Sequence, residues 1–329
     1  MTILKRLLLF TEKCWKGHPA YFNLRIGRRR KVYMIEFPSW SERAELSRLW
    51  QLAFDDQPRA VRFFFQNRFR PEDCLVYRRD GKIAAALYLL PASLKIAGIA
   101  YRAHYIYAAA TLPEYRGRGY MAALLEAAGQ KGWARGEAYS AVLPATEPLY
   151  RFYAKAGYVL YYKVVQVAFT KQELSDLTVA VHLENREWLL PDFKRLAATR
   201  NARLTNREGS LQWDGDALAY AAGYSRVFGG NILTLQNHGR MDYALYEMAG
   251  EDCMVTELMS EGDGYLRFGA ELLRRAPAAA YHFRLPAGGD FLGKNGVAEN
   301  AGMLRPLGNQ PPLQAPLTGP APYLGLALS

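Results

Sequence analysis

The stretch Tyr107-Ala-Ala-Ala-Thr-Leu-Pro-Glu-Tyr-Arg-Gly-Arg-Gly-Tyr-Met-Ala-Ala-Leu-Leu-Glu126 runs from an apolar strand, through a short turn, into Arg116-Gly117-Arg118-Gly119 and then a helix. Glycines at such a junction let the backbone approach a ligand closely, and the amides of the first helical turn point at it. The helix dipole and two arginines add positive charge. Met121, Leu124, Leu125 and Ala128 fall at i, i+3, i+4 and i+7, the spacing of one apolar helix face. The stretch therefore predicts a phosphate-holding loop at the start of an amphipathic helix. A glycine pair before a helix also occurs as a plain tight turn, so the neighbouring elements decide between the two.

Those neighbours come in a definite order. Ser41 is a plausible N-cap for a helix over 42–54, and a Phe-rich helix is expected over 59–69. Strands are predicted at 74–79 and 82–90, joined by Asp80-Gly81, a two-residue hairpin turn. Residues 99–111 carry the strands leading into the loop. After the helix, 137–144 reads as a strand and 149–158 as a helix with a closing turn.

This order resembles the GNAT acyltransferases, whose coenzyme A loop follows Arg/Gln-x-x-Gly-x-Gly/Ala. Arg116 and Gly119 match the pattern, whereas Met121 stands where a small residue is usual. The resemblance covers residues 34–170. It implies an α/β (α+β) GNAT fold, a mixed, mostly antiparallel sheet flanked by helices. It also implies acetyl-CoA as co-substrate, held at Arg116, Gly117, Arg118, Gly119, Tyr120 and Met121, with Ala109, Ala110 and Thr111 along the thioester arm. Ala108, Ala109 and Ala110 leave room for that arm, although small residues equally permit close helix–sheet packing.

Tyr153 falls where the family's Phe-Tyr-x-Lys-x-Gly-Phe/Tyr pattern places the tyrosine that protonates the departing thiolate. A phenol with a pKa of about 10 stays protonated at neutral pH. Leu149, Phe152, Tyr153 and Ala156 also share an apolar helix face, which leaves a core role open. The general base is not legible. The strand at 105–111 has no carboxylate, and Glu114 and Glu147 only flank the site. In the related enhanced intracellular survival type acetyltransferases the C-terminal carboxylate is the base, which would assign that role to Ser329. A water chain is the other route.

The second half looks like a decayed copy of the first. Glu261-Gly-Asp-Gly-Tyr-Leu266 parallels Arg116-Gly-Arg-Gly-Tyr-Met121. A strand at 253–258 precedes it, and Leu266, Gly269, Ala270 and Leu273 repeat the helical spacing. Hairpin-like strands at 231–236 and 242–247 come before, and Leu-Pro-Ala recurs at 143–145 and 285–287. The fold is thus expected to be duplicated in tandem, with units at 34–170 and 171–329. Glu261 and Asp263 replace Arg116 and Arg118, so a pyrophosphate there would be repelled. The second unit should brace the first or supply part of the acceptor pocket.

Composition excludes several classes. Half of the 329 residues are hydrophobic and 13% aromatic, enough for a sizeable core. No apolar run approaches the roughly 20 residues that span a bilayer, and Leu7–Phe10 is too short for a signal peptide. Cys14, Cys74 and Cys253 are far apart and fit neither a disulfide framework nor a zinc site, and the five histidines are scattered. A cytoplasmic protein without a metal is expected. Residues 1–33 hold nine bases against one acid, and so most of the net charge of +11. This leader, with Arg28 to Lys31, either binds an anionic partner or is a loose extension before a compact protein opening at Met34.

The expected function is transfer of an acetyl group from acetyl-CoA to a primary amine on a small molecule or peptide. Neither a membrane nor nucleic acid is the expected partner. The alternatives are a CoA-binding regulatory protein without turnover and a tandem-GNAT acyl or aminoacyl transferase using another donor. Trp50, Phe54, Phe63, Phe64 and Phe65 lie in helices that wall the acceptor pocket in the family, although such aromatics more often form core, and Asp55 and Asp56 read first as a solvated turn and second as a site for a cationic amine. The sequence names neither the acceptor nor the oligomeric state.

Overall fold

The computed structural model describes residues 33–54, 56–181, 190–237, 239–288, 291–311, 313 and 319–326. Residues 1–32, Asp55 and Ser329 lie outside the described residues. The first half contains β1 (Tyr33–Glu36), α1 (Arg43–Ala53), α2 (Pro58–Asn67), β2 (Cys74–Arg79), β3 (Lys82–Ile96), β4 (Ile99–Thr111) and α3 (Tyr120–Ala134). It continues with β5 (Tyr139–Val142), α4 (Glu147–Lys155), β6 (Val159–Leu160) and β7 (Lys163–Thr170). The second half contains α5 (Lys171–Thr178), α6 (Phe193–Arg203), β8 (Leu211–Gln212), α7 (Gly215–Val227), β9 (Asn231–Asn237), β10 (Arg240–Ala249) and β11 (Asp252–Met259). It ends with α8 (Gly264–Arg275), β12 (Ala280–Pro286), β13 (Val297–Asn300) and β14 (Met303–Pro306).

Local chemistry sets several boundaries. Asp80 and Gly81 both take positive φ (51° and 81°), the conformation a two-residue hairpin needs between β2 and β3. Ser41 is not a cap: Ser39 caps a 3-10 turn, and Glu42 holds the N-cap position of α1. Glu42 accepts from the Ser39 amide at 2.8 Å, and a short 3-10 turn, Trp40–Glu42, leads into the helix. The Ser-x-x-Glu spacing of a capping box selects Ser39.

Both sheets follow one plan. In the first, β1, β2, β3 and β4 are antiparallel neighbours, then β4 pairs β5 in parallel across α3. In the second, β9, β10 and β11 are antiparallel, then β11 pairs β12 in parallel across α8. The architecture is an α/β fold with two mostly antiparallel sheets flanked by helices.

The halves exchange strands at the position after the parallel step. β14, from the second half, pairs β5 and so sits in the first sheet. β7, from the first half, pairs β12 in the second sheet. A cut at residue 170 therefore keeps β7 with the first half in sequence only; its hydrogen bonds belong to the other sheet. β6 and β13 finish the two edges against β14 and β7.

One apolar core spans both halves. Trp50, Phe64 and Phe65 of α1 and α2 join Tyr88 and Tyr107 of the first sheet, Tyr220 and Tyr224 of α7, and Tyr243 and Leu245 of β10. Leu124, Leu125 and Ala128 of α3 bury against the other face of the first sheet, while Met121 is only partly buried there. In the second unit the buried face of α8 is Phe268, Gly269 and Leu272 rather than the Leu266, Gly269, Ala270, Leu273 set. Gly269 explains the rotation: α5 packs on it, and a Cβ there would lie 3.0 Å from Leu174.

Arg200 of α6 and Glu257 of β11 are fully buried and paired at 3.1 Å. Arg200 also donates to the carbonyls of Leu211 (2.8 Å) and Leu324 (3.2 Å), and the Trp213 indole N–H donates to Leu324 as well. The segment around Tyr323 and Leu324 is thereby fixed between the halves.

Candidate active site

β4 and β5 pair only from Ala103↔Tyr139 to Ile106↔Val142. Beyond that point β5 ends and β4 continues to Thr111, so the sheet opens. The β3–β4 ladder slips in the same region: Tyr107 pairs Tyr88 and Ala110 pairs Ala86, leaving Ala108 and Ala109 outside the register. Ala108 has φ 44°, a left-handed backbone that is strained for a residue with a Cβ. A cleft of about 650 Å³ starts here, with Ala108 and Ala109 on one wall and Val142 to Thr146 on the other.

The sequence-predicted residues divide by position. Ala109 lines the cleft. The Ala110 side chain is buried in the core, and Thr111 uses its carbonyl to accept from Arg116 at 3.2 Å. Arg116, Gly117, Arg118 and Gly119 follow directly as an exposed loop. Gly117 and Gly119 take φ of 72° and 80°, and a Cβ on either would meet nothing within 4 Å, so backbone conformation and not space is what glycine supplies. Arg118 lies 5.7 Å over the Tyr115 ring, and Tyr120 stacks on Tyr77 with centroids 4.2 Å apart.

The second loop has neither this charge nor this backbone. Glu261 pairs with Arg203 at 2.6 Å, and Asp263 with Arg267 at 3.0 Å. Gly262 has positive φ, but Asp263 is right-handed and Gly264 already belongs to α8.

Tyr153 lines the cleft from α4. Burial pushes its phenol well above the usual range, so it stays a proton donor. The Tyr153 hydroxyl makes no hydrogen bond among the described residues, whereas the nearby Tyr150 hydroxyl is committed to the Asn300 carbonyl at 3.0 Å. Tyr158 behind it is hydrogen-bonded to Ser140 at 2.6 Å, and burial raises its phenol to about 12.

Glu114 is exposed and does not line the cleft, whereas Glu147 does. Trp50 and Phe54 wall it too, while Phe64 and Phe65 are core and Phe63 packs on Tyr220. Asp56 reaches the cleft, held by the Trp50 indole N–H at 2.6 Å. Sequence reasoning missed the part supplied by the exchanged region: Gln166, Thr256, Arg284 and Glu299. Gln166, Thr256 and Arg284 sit on strands that alternate buried and more exposed residues, but which sheet face would meet the cleft is not legible in sequence; Glu299 sits on the short, exposed β13.

Residues 38–160 match the family described as Acetyltransferase (GNAT) domain. This part of the chain is a GNAT domain. The likeness to solved structures extends over both halves. A conserved protein of unknown function from Enterococcus faecalis V583, titled a probable N-acyltransferase, is similar with TM-score 0.64 and 15% identity over 84% of this chain and 73% of that one. A GCN5-related N-acetyltransferase from Kribbella flavida gives TM-score 0.64 and 18% identity, covering 83% and 72%. Eis1 from Mycobacterium abscessus gives 0.61 and 14%, covering 83% and 73%. No curated protein sequence matches the chain. Among the described residues no helix is long and apolar enough to cross a membrane, and no group of His, Cys, Asp and Glu is placed to hold a metal.

Proposed function

We propose that the protein is an acetyl-CoA-dependent N-acetyltransferase acting on a primary amine of a small molecule or peptide. The observation that carries this is the cleft between the diverging β4 and β5, with the unbonded Tyr153 hydroxyl donor on its wall and the Arg116–Gly119 loop at the end of its strand. Acetyl-CoA supplies an activated acyl thioester. The exposed arginines and left-handed glycines suit its pyrophosphate, and the amides of the first turn of α3 point the same way. Where the ladder slips at Ala108 and Ala109, backbone groups are free to polarise a carbonyl. A carbon–nitrogen bond forms, the carbon–sulfur bond breaks, the amine loses a proton, and Tyr153 gives one to the thiolate.

The second unit, in this proposal, keeps the GNAT architecture without a working donor site and completes the acceptor side of the cleft. The tail reaches Leu326 close to that side, since Gly325 lies against Glu257, the neighbour of the cleft residue Thr256. A second reading, CoA binding without turnover, is favoured by one observation: every described carboxylate in the cleft already has a partner, which leaves the general base unassigned.

Isothermal titration with acetyl-CoA tests the donor site. One-to-one binding lost in Arg116→Glu, followed by acetylation in an amine screen, is the expected result. Binding without acetylation of any amine would select the second reading, and no binding would overturn both.

A further inference from the structure

The ionisable residues that line the cleft are unequal. Asp56 accepts the Trp50 indole N–H at 2.6 Å. Glu147 pairs with Arg151 at 3.3 Å, and Glu299 accepts from Gln166 at 2.9 Å. Arg284 has no hydrogen bond and no ion pair to its side chain among the described residues. It is also half-buried. A guanidinium is always charged and carries five donors in a planar fork. Leaving it partly desolvated and unpaired is costly, so its position calls for an anionic partner.

Register fixes where it stands. Arg284 of β12 is opposite Gln166 of β7, and β11 lies alongside in parallel with Val255 beside Phe283. Gln166, Arg284 and Thr256 thus share the face that opens on the cleft. Tyr105 and Tyr150 line the same cleft as Arg284; burial pushes both phenols up, and the Arg284 charge opposes this in both. Tyr105 is roughly 20 Å along β4 from Thr111, where Arg116 bonds. The cleft that Arg284 lines also holds Ala108, Ala109 and Tyr153 but none of the Arg116–Gly119 loop, so Arg284 belongs with the acyl-transfer side of the site rather than with the phosphate loop.

We infer that Arg284 receives a carboxylate of the acceptor, so that the second unit selects amines that also carry a carboxylate and an apolar side chain. The planar fork matches a carboxylate in two parallel hydrogen bonds. Trp50, Phe54, Leu143 and Leu149 give the apolar wall on which such a side chain would lie. The inference rests on the acetyltransferase reading for the word acceptor, but recognition of the carboxylate is measurable without turnover.

The probes are N-acetyl-L-phenylalanine and N-acetyl-L-phenylalaninamide, titrated into the full chain with CoA present. The acid should bind at least about tenfold tighter than the amide. Arg284→Met should abolish that preference, and Arg284→Lys should keep part of it. Both variants should melt within a few degrees of the parent, because the guanidinium holds no described partner. Equal binding of acid and amide, a preference that survives Arg284→Met, or no binding of either probe would each overturn the inference. Acetylation of L-phenylalaninamide as fast as L-phenylalanine would overturn it while upholding the acetyltransferase. Selective binding of the acid by a protein that acetylates no amine would uphold the carboxylate site and overturn the acetyltransferase.

Discussion

Arg200 and Glu257 pair where no solvent reaches, and the same guanidinium holds the Leu324 carbonyl at 3.2 Å. One ion pair thereby ties α6, β11 and the last described segment together. Glu257→Gln would leave the guanidinium buried without its counter-charge, at a cost of about 3–5 kcal/mol. Urea melts should show that loss, and proteolysis should reach the segment around Tyr323 sooner. The double variant Arg200→Met, Glu257→Leu should regain much of the stability, since it removes both charges. A single variant as stable as the parent would show that the pair contributes nothing.

Tyr153→Phe should lower kcat by about 10²- to 10⁴-fold, the usual weight of a general acid, and leave acetyl-CoA affinity unchanged. Burial raises the Tyr153 phenol, so its protonated, active form persists to higher pH than an ordinary phenol allows. The pH–rate profile should therefore show no alkaline fall assignable to Tyr153 up to about pH 10. A fall there that vanishes in Tyr153→Phe would contradict the burial argument.

Gly119→Ala separates conformation from space. A Cβ would touch nothing, yet φ is 80°. The expected cost is about 1–2 kcal/mol of backbone strain at the start of α3, with weaker acetyl-CoA binding by titration. Unchanged affinity would mean that the left-handed backbone is not part of the donor site.

Arg305 of β14 reaches Glu126 of α3 at 2.8 Å. That hydrogen bond, outweighing partial burial, holds the Glu126 carboxyl below its ordinary 4.5. A depressed carboxyl stabilises the fold above its unfolded pKa, and the gain is lost as pH falls below about 4.5. Glu126 is largely exposed, so screening limits the gain to under about 1 kcal/mol. The stability difference between the parent and Glu126→Gln should be measurable at pH 7 and should shrink as the pH falls below about 4.5.

Local signals in the sequence were enough for the turn at Asp80-Gly81, the loop at Arg116–Gly119 and the order of elements around them, because each depends on residues within a few positions. The reach of β3 to Ile96 exceeds the 82–90 estimate because its far end is held by β4 and β8 rather than by its own composition. Arg284 could be placed on a strand but not in the cleft: only the pairing of β12 with β7 and β11 puts it on the cleft wall. Met121 stayed ambiguous for a similar reason, since a spacing rule cannot tell a helix's first turn, half-open at the loop, from its buried middle.

The strand exchange also bears on how the protein is made. A growing chain that has reached Thr170 owns β7 but has no second sheet to receive it, and its first sheet still lacks β14. Glu126 must wait for Arg305, 179 residues later in synthesis. Neither sheet can close until nearly all of the described chain has left the ribosome, so the two halves reach their final form together rather than one after the other.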